Sequence, residues 1–183
     1  MYQIHSGRAG DPGMGAGRLD AMFRLRAQVF QARLGWDVHV SQGRELDWFD
    51  AVGPRYVVLG RGGGPDGVVG CARLLPADGP NMLRDVFGFL VEGRPCPAGT
   101  DRMEVSRFAL SPAAGRGTYG FRRAAAMLVA AVLQEASRSG SHALVGVTSA
   151  GFERLMRGLG LEVARLGRIQ RIGDVDSLAF ELP

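Results

Sequence analysis

Several polar residues fall where the hydrophobic pattern calls for apolar ones. Arg26 shares a helical face with Met22, Phe23 and Phe30. A guanidinium on such a face is costly to desolvate unless a carboxylate meets it. Its partner is either an acid of this chain or the carboxylate of a ligand. The segment Glu45-Leu46-Asp47-Trp48-Phe49-Asp50 sets acids among aromatic rings. Such a segment either pairs with nearby arginines or holds a cation with an apolar body, an ammonium or sulfonium, to which Trp36 adds cation–π attraction. Arg73 lies in a strand-like run, on the face of Val69, Cys71 and Leu75. In Met103–Leu110, alternation puts Glu104, Ser106 and Phe108 on one face and Val105, Arg107 and Ala109 on the other. A glutamate and a serine two apart act on one small space. Either they are an edge-strand polar pair, or Glu104 takes a proton, directly or through one water, while Ser106 orients the reacting group. Arg107 is expected in the opposite layer, in a structural role.

Other chemistries are excluded or weak. All 22 basic residues are arginine, so no lysine nucleophile or Schiff base is available. Base composition of the genome accounts for much of that bias, in keeping with the 28 glycines. Cys71 and Cys96 are too few for a disulfide scaffold or a zinc site, and His5, His39 and His142 stand apart, so no metal is expected. The net charge of +4 comes from scattered arginines and does not call for nucleic acid. The start, Met1-Tyr2-Gln3-Ile4-His5, has no apolar signal region, and Ala124–Leu133 is too short to span a bilayer. A cytoplasmic protein without stable membrane insertion is expected.

These side chains need elements to hold them. The spacing predicts a strand at Tyr2–His5, an amphipathic helix from Leu19 to Arg33 stopped by Gly35, and a structured loop from Trp36 to Pro54. A hairpin follows, Arg55–Arg61 with Gly67–Leu75, then a short helix at Asn81–Val91 and a strand at Met103–Leu110. The glycine-rich turn Gly115–Gly120 opens a long helix, Thr118–Ser139, with Phe121, Ala125, Leu128 and Val132 inward; free N–H groups there suit an anion, although the motif is weak. His142–Thr148 reads as a buried strand and Gly151–Leu159 as a helix with Phe152, Leu155, Met156 and Leu159 inward. Closing strands are expected at Glu162–Leu166 and Ser177–Leu182. The order predicts one α/β domain over 1–183, a three-layer α/β/α sandwich with a mixed central sheet.

The ordered set Arg26-x-x-x-Phe30, Leu34-Gly35-Trp36, Glu45-x-Asp47-x-x-Asp50, Gly70-Cys71-x-Arg73-Leu74-Leu75-Pro76, Met82-Leu83-x-Asp85-x-Phe87 and Glu104-x-Ser106-Arg107-Phe108 resembles the acyl-homoserine lactone synthases. The likeness continues through Val145-Gly146-Val147-Thr148, Glu153-Arg154-Leu155 and Gly160, covering roughly residues 19–170. It implies a fold similar to GNAT acyltransferases and two substrates, S-adenosylmethionine and an acyl group on acyl carrier protein or CoA. No further cofactor is implied, because S-adenosylmethionine is consumed. Acylation of its amine and closure of the lactone, with loss of methylthioadenosine, are implied in unspecified order. By the resemblance, Arg26, Phe30, Trp36, Asp47, Asp50 and Arg73 bind S-adenosylmethionine, Glu104 and Ser106 are catalytic, and Arg107 and Phe108 support the site. An acyl pocket is expected from Met127, Leu144, Gly146, Thr148, Phe152 and Leu155, with Gly146 leaving room and Thr148 able to hydrogen-bond a 3-oxo or 3-hydroxy group.

Two other readings compete. A GNAT-type N-acetyltransferase on a small amine needs a stronger pyrophosphate loop than Gly115–Gly120 and no Trp36 with Asp47 and Asp50. A non-catalytic basic binding module needs clustered arginines. Arg116, Arg122, Arg123, Arg154, Arg157, Arg165, Arg168 and Arg171 are expected to face outward, suited to an acidic carrier or to the phosphates of CoA.

Overall fold

The computed structural model of the chain describes residues 1–115 and 117–183, with Pro65 and Gly117 by backbone alone. Arg116, within the expected anion-binding turn and the outward arginine set, lies outside the described residues. The elements run β1 (Tyr2–Gly7), α1 (Ala16–Ala27), β2 (Val40–Ser41), β3 (Arg44–Glu45), β4 (Arg55–Arg61), β5 (Val68–Pro76), α2 (Met82–Asp85), β6 (Arg102–Leu110), α3 (Gly117–Arg138), β7 (Ala143–Ser149), α4 (Ala150–Gly158), β8 (Ala164–Arg165), β9 (Gln170–Ile172) and β10 (Val175–Leu182). By internal contact they form two compact units. One is Met1–Leu74 with Arg107–Glu135, and the other is Leu75–Ser106 with Ala136–Pro183.

In the first unit, β1, β4, β5 and the second half of β6 are neighbours, with β1/β4 and β4/β5 antiparallel. Met22 and Leu25 of α1, with Val29 and Phe30 just after it, pack on Tyr56, Val58, Cys71 and Ala109. These strand residues alternate, as one buried face requires. On the other face of β5, a side chain at Gly70 would meet Leu110 at 2.8 Å and Leu128 of α3 at 3.2 Å. Helices therefore cover both faces of these strands.

In the second unit, the first half of β6 pairs parallel with β7, and β7 pairs antiparallel with β10. β8 and β9 each pair antiparallel with β10. Ala77, Leu83, Leu90, Val91, Val145 and Ala179 form a core here, while α4 contacts β7 and β10. One parallel pair among antiparallel ones makes the sheet mixed.

Several expectations change. The helix expected at Leu19–Arg33 is α-helical only to Ala27. Gln28–Arg33 is a π-helical turn, and the stop at Gly35 holds, with a left-handed φ of 66°. The loop expected over Trp36–Pro54 contains the β2/β3 hairpin, whose turn residues Gln42 and Gly43 both have positive φ, and a 3-10 turn at Trp48–Asp50. The helix expected at Asn81–Val91 divides into α2, capped by the Asn81 side chain, and a 3-10 turn at Gly88–Val91. Leu159, expected inward, is exposed because α4 ends at Gly158. The short β9 was not expected; its three residues carry too little pattern to register.

Candidate active site

The first unit gathers the polar residues singled out above into one network. Arg26 is 1% exposed. It donates from Nε to Glu45 at 2.5 Å and from Nη1 and Nη2 to the two oxygens of Asp50, each at 2.8 Å. Arg73, fully buried, donates to both oxygens of Asp47 at 2.5 and 3.0 Å and stands 3.0 Å from Asp50. Arg107 donates to Glu45 at 3.0 Å and pairs with Asp47 at 2.7 Å. The Tyr56 hydroxyl donates to Asp50 at 2.9 Å. So the partner of Arg26 is an acid of the chain itself.

Local structure aims these groups. The β2/β3 turn delivers Glu45 to full burial. Asp47 and Asp50 then cap a single 3-10 turn reciprocally, the Asp47 N–H donating to the Asp50 carboxylate at 2.9 Å. Arg107 has a φ of 52°, in the left-handed region. Its guanidinium joins the carboxylates that also hold Arg26 of α1, and Ala109, placed on the same face by alternation, packs with Met22 and Phe30, so the pairing of Arg107 with Ala109 agrees with these contacts. Phe108, beside it on the strand, is half-buried.

Aromatic rings frame the cations. Trp36 stacks on Phe30 with centroids 5.2 Å apart and planes 9° from parallel, and the Arg107 guanidinium lies 5.5 Å from the Phe30 centroid. Arg73 lies over Phe49 and Arg26 over Phe23, at 5.5 and 5.2 Å. Burial pushes the Asp50 carboxyl up, but hydrogen bonds and charge from Arg26, then the charge of Arg73, hold it well below the usual carboxylate range. Burial, and then Asp50, push the Tyr56 phenol up. Burial likewise pushes the Cys71 thiol up to about 12, which leaves it an inert packing group. Among the described residues no buried side-chain nitrogen or oxygen lacks a hydrogen-bond partner. Arg26, Glu45, Arg73 and Asp50 are thus a frame, while Asp47, 18% exposed at its side chain, and Trp36, 40% exposed, reach solvent.

In the second unit Glu104 is 1% exposed and accepts a hydrogen bond from Ser106 Oγ at 3.0 Å, so the pair read from strand alternation is formed. Of the expected acyl-pocket residues, Leu144 and Gly146 are buried and Thr148, Phe152 and Leu155 half-buried, all in this unit; Met127, half-buried, belongs to the first. Gly146 does not leave open room. A side chain there would meet the Val105 carbonyl at 2.5 Å and the Phe180 ring at 3.2 Å. The outward arginines also divide. Arg157 and Arg165 clasp the buried carboxylate of Glu153, at 3.1 and 2.7 Å, whereas Arg122, Arg123 and Arg154 are exposed.

Four contributors escaped the sequence reading. Glu45 was seen only as one of several acids, although its place just after a Gln-Gly turn signals a fixed position. Tyr56 alternates with Val58 on the inner face of β4, and a phenol there needs an acceptor. Phe49 was seen only as one of the aromatics of the acidic segment, and Phe180 only as part of the closing strand Ser177–Leu182. Among the described residues no cluster of histidine, cysteine and acidic side chains suits a metal ion, and no helix is long and apolar enough to cross a membrane.

A mixed sheet with flanking helices, an arginine–carboxylate frame in the first unit and a buried Glu–Ser pair in the second define an acyltransferase-like architecture. Comparison with known proteins agrees: the autoinducer synthase family matches residues 14–183. The chain is 35% identical to an acyl-homoserine-lactone synthase of Pseudomonas aeruginosa, over 90% of this chain and 81% of that protein. It resembles the crystal structure of the acyl-homoserine lactone synthase LasI with a TM-score of 0.88 at 33% identity, covering 100% of this chain and 89% of LasI. For TofI the values are 0.82, 28%, 98% and 90%. An acyl-CoA N-acyltransferase from Pseudomonas aeruginosa shares the fold alone, with a TM-score of 0.65 at 16% identity over 99% of each chain.

The chain belongs to the autoinducer synthase family. It is an acyltransferase of the acyl-homoserine-lactone synthase type, with a GNAT-like fold.

Proposed function

We propose that this chain joins the amine of S-adenosylmethionine to an acyl group carried as a thioester on acyl carrier protein or CoA, then closes the lactone and releases methylthioadenosine. The observation that carries this reading is the frame of Arg26, Glu45, Asp50 and Arg73, which fixes Asp47, and Arg107, 2.7 Å from Asp47 and 5.5 Å from the Phe30 centroid, which links that acid to the Trp36–Phe30 stack. A carboxylate and an aromatic face suit a substrate that bears an ammonium and a sulfonium on an apolar body. The related TofI structure contains methylthioadenosine, the product expected here. Because the nitrogens of Arg26 and Arg73 serve internal acids, their part is to hold Asp47 and Asp50 in place. Asp47 and Trp36 meet the ligand.

Glu104 takes the ammonium proton, directly or through one water, and the free amine then attacks the thioester carbonyl carbon. The carbon–sulfur bond to the carrier breaks, the thiolate leaves, and an amide remains. Ser106, donating to Glu104, orients that carboxylate. In the lactonisation step a carboxylate oxygen of the methionyl group displaces methylthioadenosine from its γ-carbon. Leu144, Thr148, Phe152 and Leu155 receive the acyl chain, along the face of β7 on which Gly146 lies filled by its neighbours. S-adenosylmethionine is a consumed substrate, so the reaction needs no separate cofactor. The reading also places the protein in the cytoplasm, where acyl carriers and S-adenosylmethionine meet. It treats 1–183 as one functional domain, because the family match runs through both units.

Mass spectrometry of medium from cells expressing the chain should detect N-acyl-homoserine lactones. Folded protein that yields none with several acyl donors overturns the reading. Glu104→Ala should lower kcat about 100-fold or more with S-adenosylmethionine affinity little changed. Unchanged kcat removes Glu104 from the mechanism.

A further inference from the structure

The dent that Gly146 leaves in β7 is plugged from the neighbouring strand. In the antiparallel register, Leu182, Phe180 and Leu178 of β10 stand opposite Leu144, Gly146 and Thr148 of β7. Directly opposed residues of antiparallel strands point to the same side. This face is therefore the one assigned above to the acyl chain, and Phe180 belongs to it. Val145 lies on the other face, in the core with Leu83, Leu90 and Ala179.

The glycine itself is fixed by backbone. On the parallel side, Val105 stands opposite Gly146, and its carbonyl oxygen would be 2.5 Å from any side chain placed there. No residue at 146 can fill the dent without moving β6. What fills it is an edge of the Phe180 ring, 3.2 Å from where that side chain would begin, on a residue only 3% exposed. The volume available along this face is thus set by the residue at 180.

We infer that Phe180 is a specificity-determining residue for the acyl donor: its ring closes the inner end of the acyl site and sets the longest chain accepted. The inference rests on the assignment of the β7 face to the acyl chain. Donors short enough to stop at the ring bind without displacing it, whereas longer ones must overpack a filled core. Truncating the ring lengthens the site in proportion to the volume removed.

The test compares wild type, Phe180→Leu and Phe180→Ala on straight-chain acyl donors of increasing length, with lactones measured by mass spectrometry and folding by circular dichroism. Both substitutions should move the product distribution to longer chains, Ala further than Leu. The long-to-short ratio of kcat/KM should rise about ten-fold or more, as expected when a few methylenes decide fit in an apolar pocket. Val145→Ala, which removes volume on the other face, should lower thermal stability without changing product length. If Phe180→Ala is too unstable to assay, Phe180→Leu decides. Folded variants with the wild-type product distribution overturn the inference, and so does a Val145→Ala variant that shifts length equally. A wild-type protein that makes no lactone with any donor overturns instead the function on which the inference rests.

Discussion

Asp50 and Glu153 are buried acids, one in each unit, and each is held by two arginines. Around Asp50 the cations are buried too, Arg26 at 1% and Arg73 at 0% side-chain exposure. Around Glu153 they are half in water, Arg157 at 49% and Arg165 at 46%. In the first case every charge has left water, and the geometry must compensate each one; the result is a rigid frame whose value is position, since buried ion pairs add little net stability. In the second, long side chains reach over from solvent and clasp α4 to β8 while their heads stay hydrated. The same residue types thus make a site in one place and a fastener in the other.

Breaking the frame should have the largest effect. Asp50→Asn leaves Arg26, Arg73 and Tyr56 short of charge in a dry environment. It should cost about 3–5 kcal/mol, read as a fall in the denaturant midpoint, together with loss of S-adenosylmethionine binding. A cost comparable to a surface substitution would show that the network is wetter than its burial indicates.

The acid response sharpens the same contrast. Asp50 is held well below its ordinary 3.8, chiefly because Arg26 outweighs the effect of burial. Its contribution is fully present above that value. It is lost as pH falls below it, because the unfolded chain takes up the proton first. Glu153 is also lowered, from 4.5, by Arg165 ahead of Arg157. Stability should therefore decline as pH falls below about 4, less steeply in Asp50→Asn than in wild type when measured by chemical denaturation.

Glu153→Gln should be milder, about 1–2 kcal/mol, because its arginines regain water when the charge is removed. Lactone yield per folded molecule should not change. Smaller still is Trp36→Ala, which removes a stacked ring that is 40% exposed. About 1 kcal/mol of S-adenosylmethionine affinity should be lost in calorimetry, with little change in melting temperature. Smallest in stability is Arg154→Glu, an exposed position expected to stay within about 0.5 kcal/mol of wild type while raising KM for an acidic carrier protein. Arg157→Glu cannot serve that test, because it also breaks the Glu153 clasp.

The contrast explains what was legible in the sequence. Arg26 and Arg73 stood out because a charge on an apolar face must be answered, and the acids at 45, 47 and 50 were one of two answers left open, the other being a ligand carboxylate. Glu104 and Ser106 were legible from strand parity. Alternation also set Arg107 on the face of Ala109, where it meets Glu45 and Asp47, although the left-handed backbone at Arg107 is something sequence gives no reason to expect. Apolar shape was harder to read. Gly146 looked like free space, whereas the space is claimed by Phe180 across a strand pairing some thirty residues away. The hairpin, β6, β7 and the long helix were readable from local period. The division at Ala27, the split of Asn81–Val91 and the three residues of β9 were not, because each depends on tertiary packing more than on its own pattern.

The π-helical turn at Gln28–Arg33 shows how one helix can serve two masters. It widens the coil after α1, with the Leu34 N–H reaching back five residues to Val29. Everything before the widening keeps the phase that buries Arg26 against its acids. After it the chain leaves the helix at Gly35, whose φ of 66° turns it back, so that the Trp36 N–H donates to the Phe30 carbonyl at 2.9 Å and the indole lies flat on the Phe30 ring. The wide turn carries Phe30 and the glycine returns Trp36 to it, so the aromatic platform is built at the helix end and not along its length.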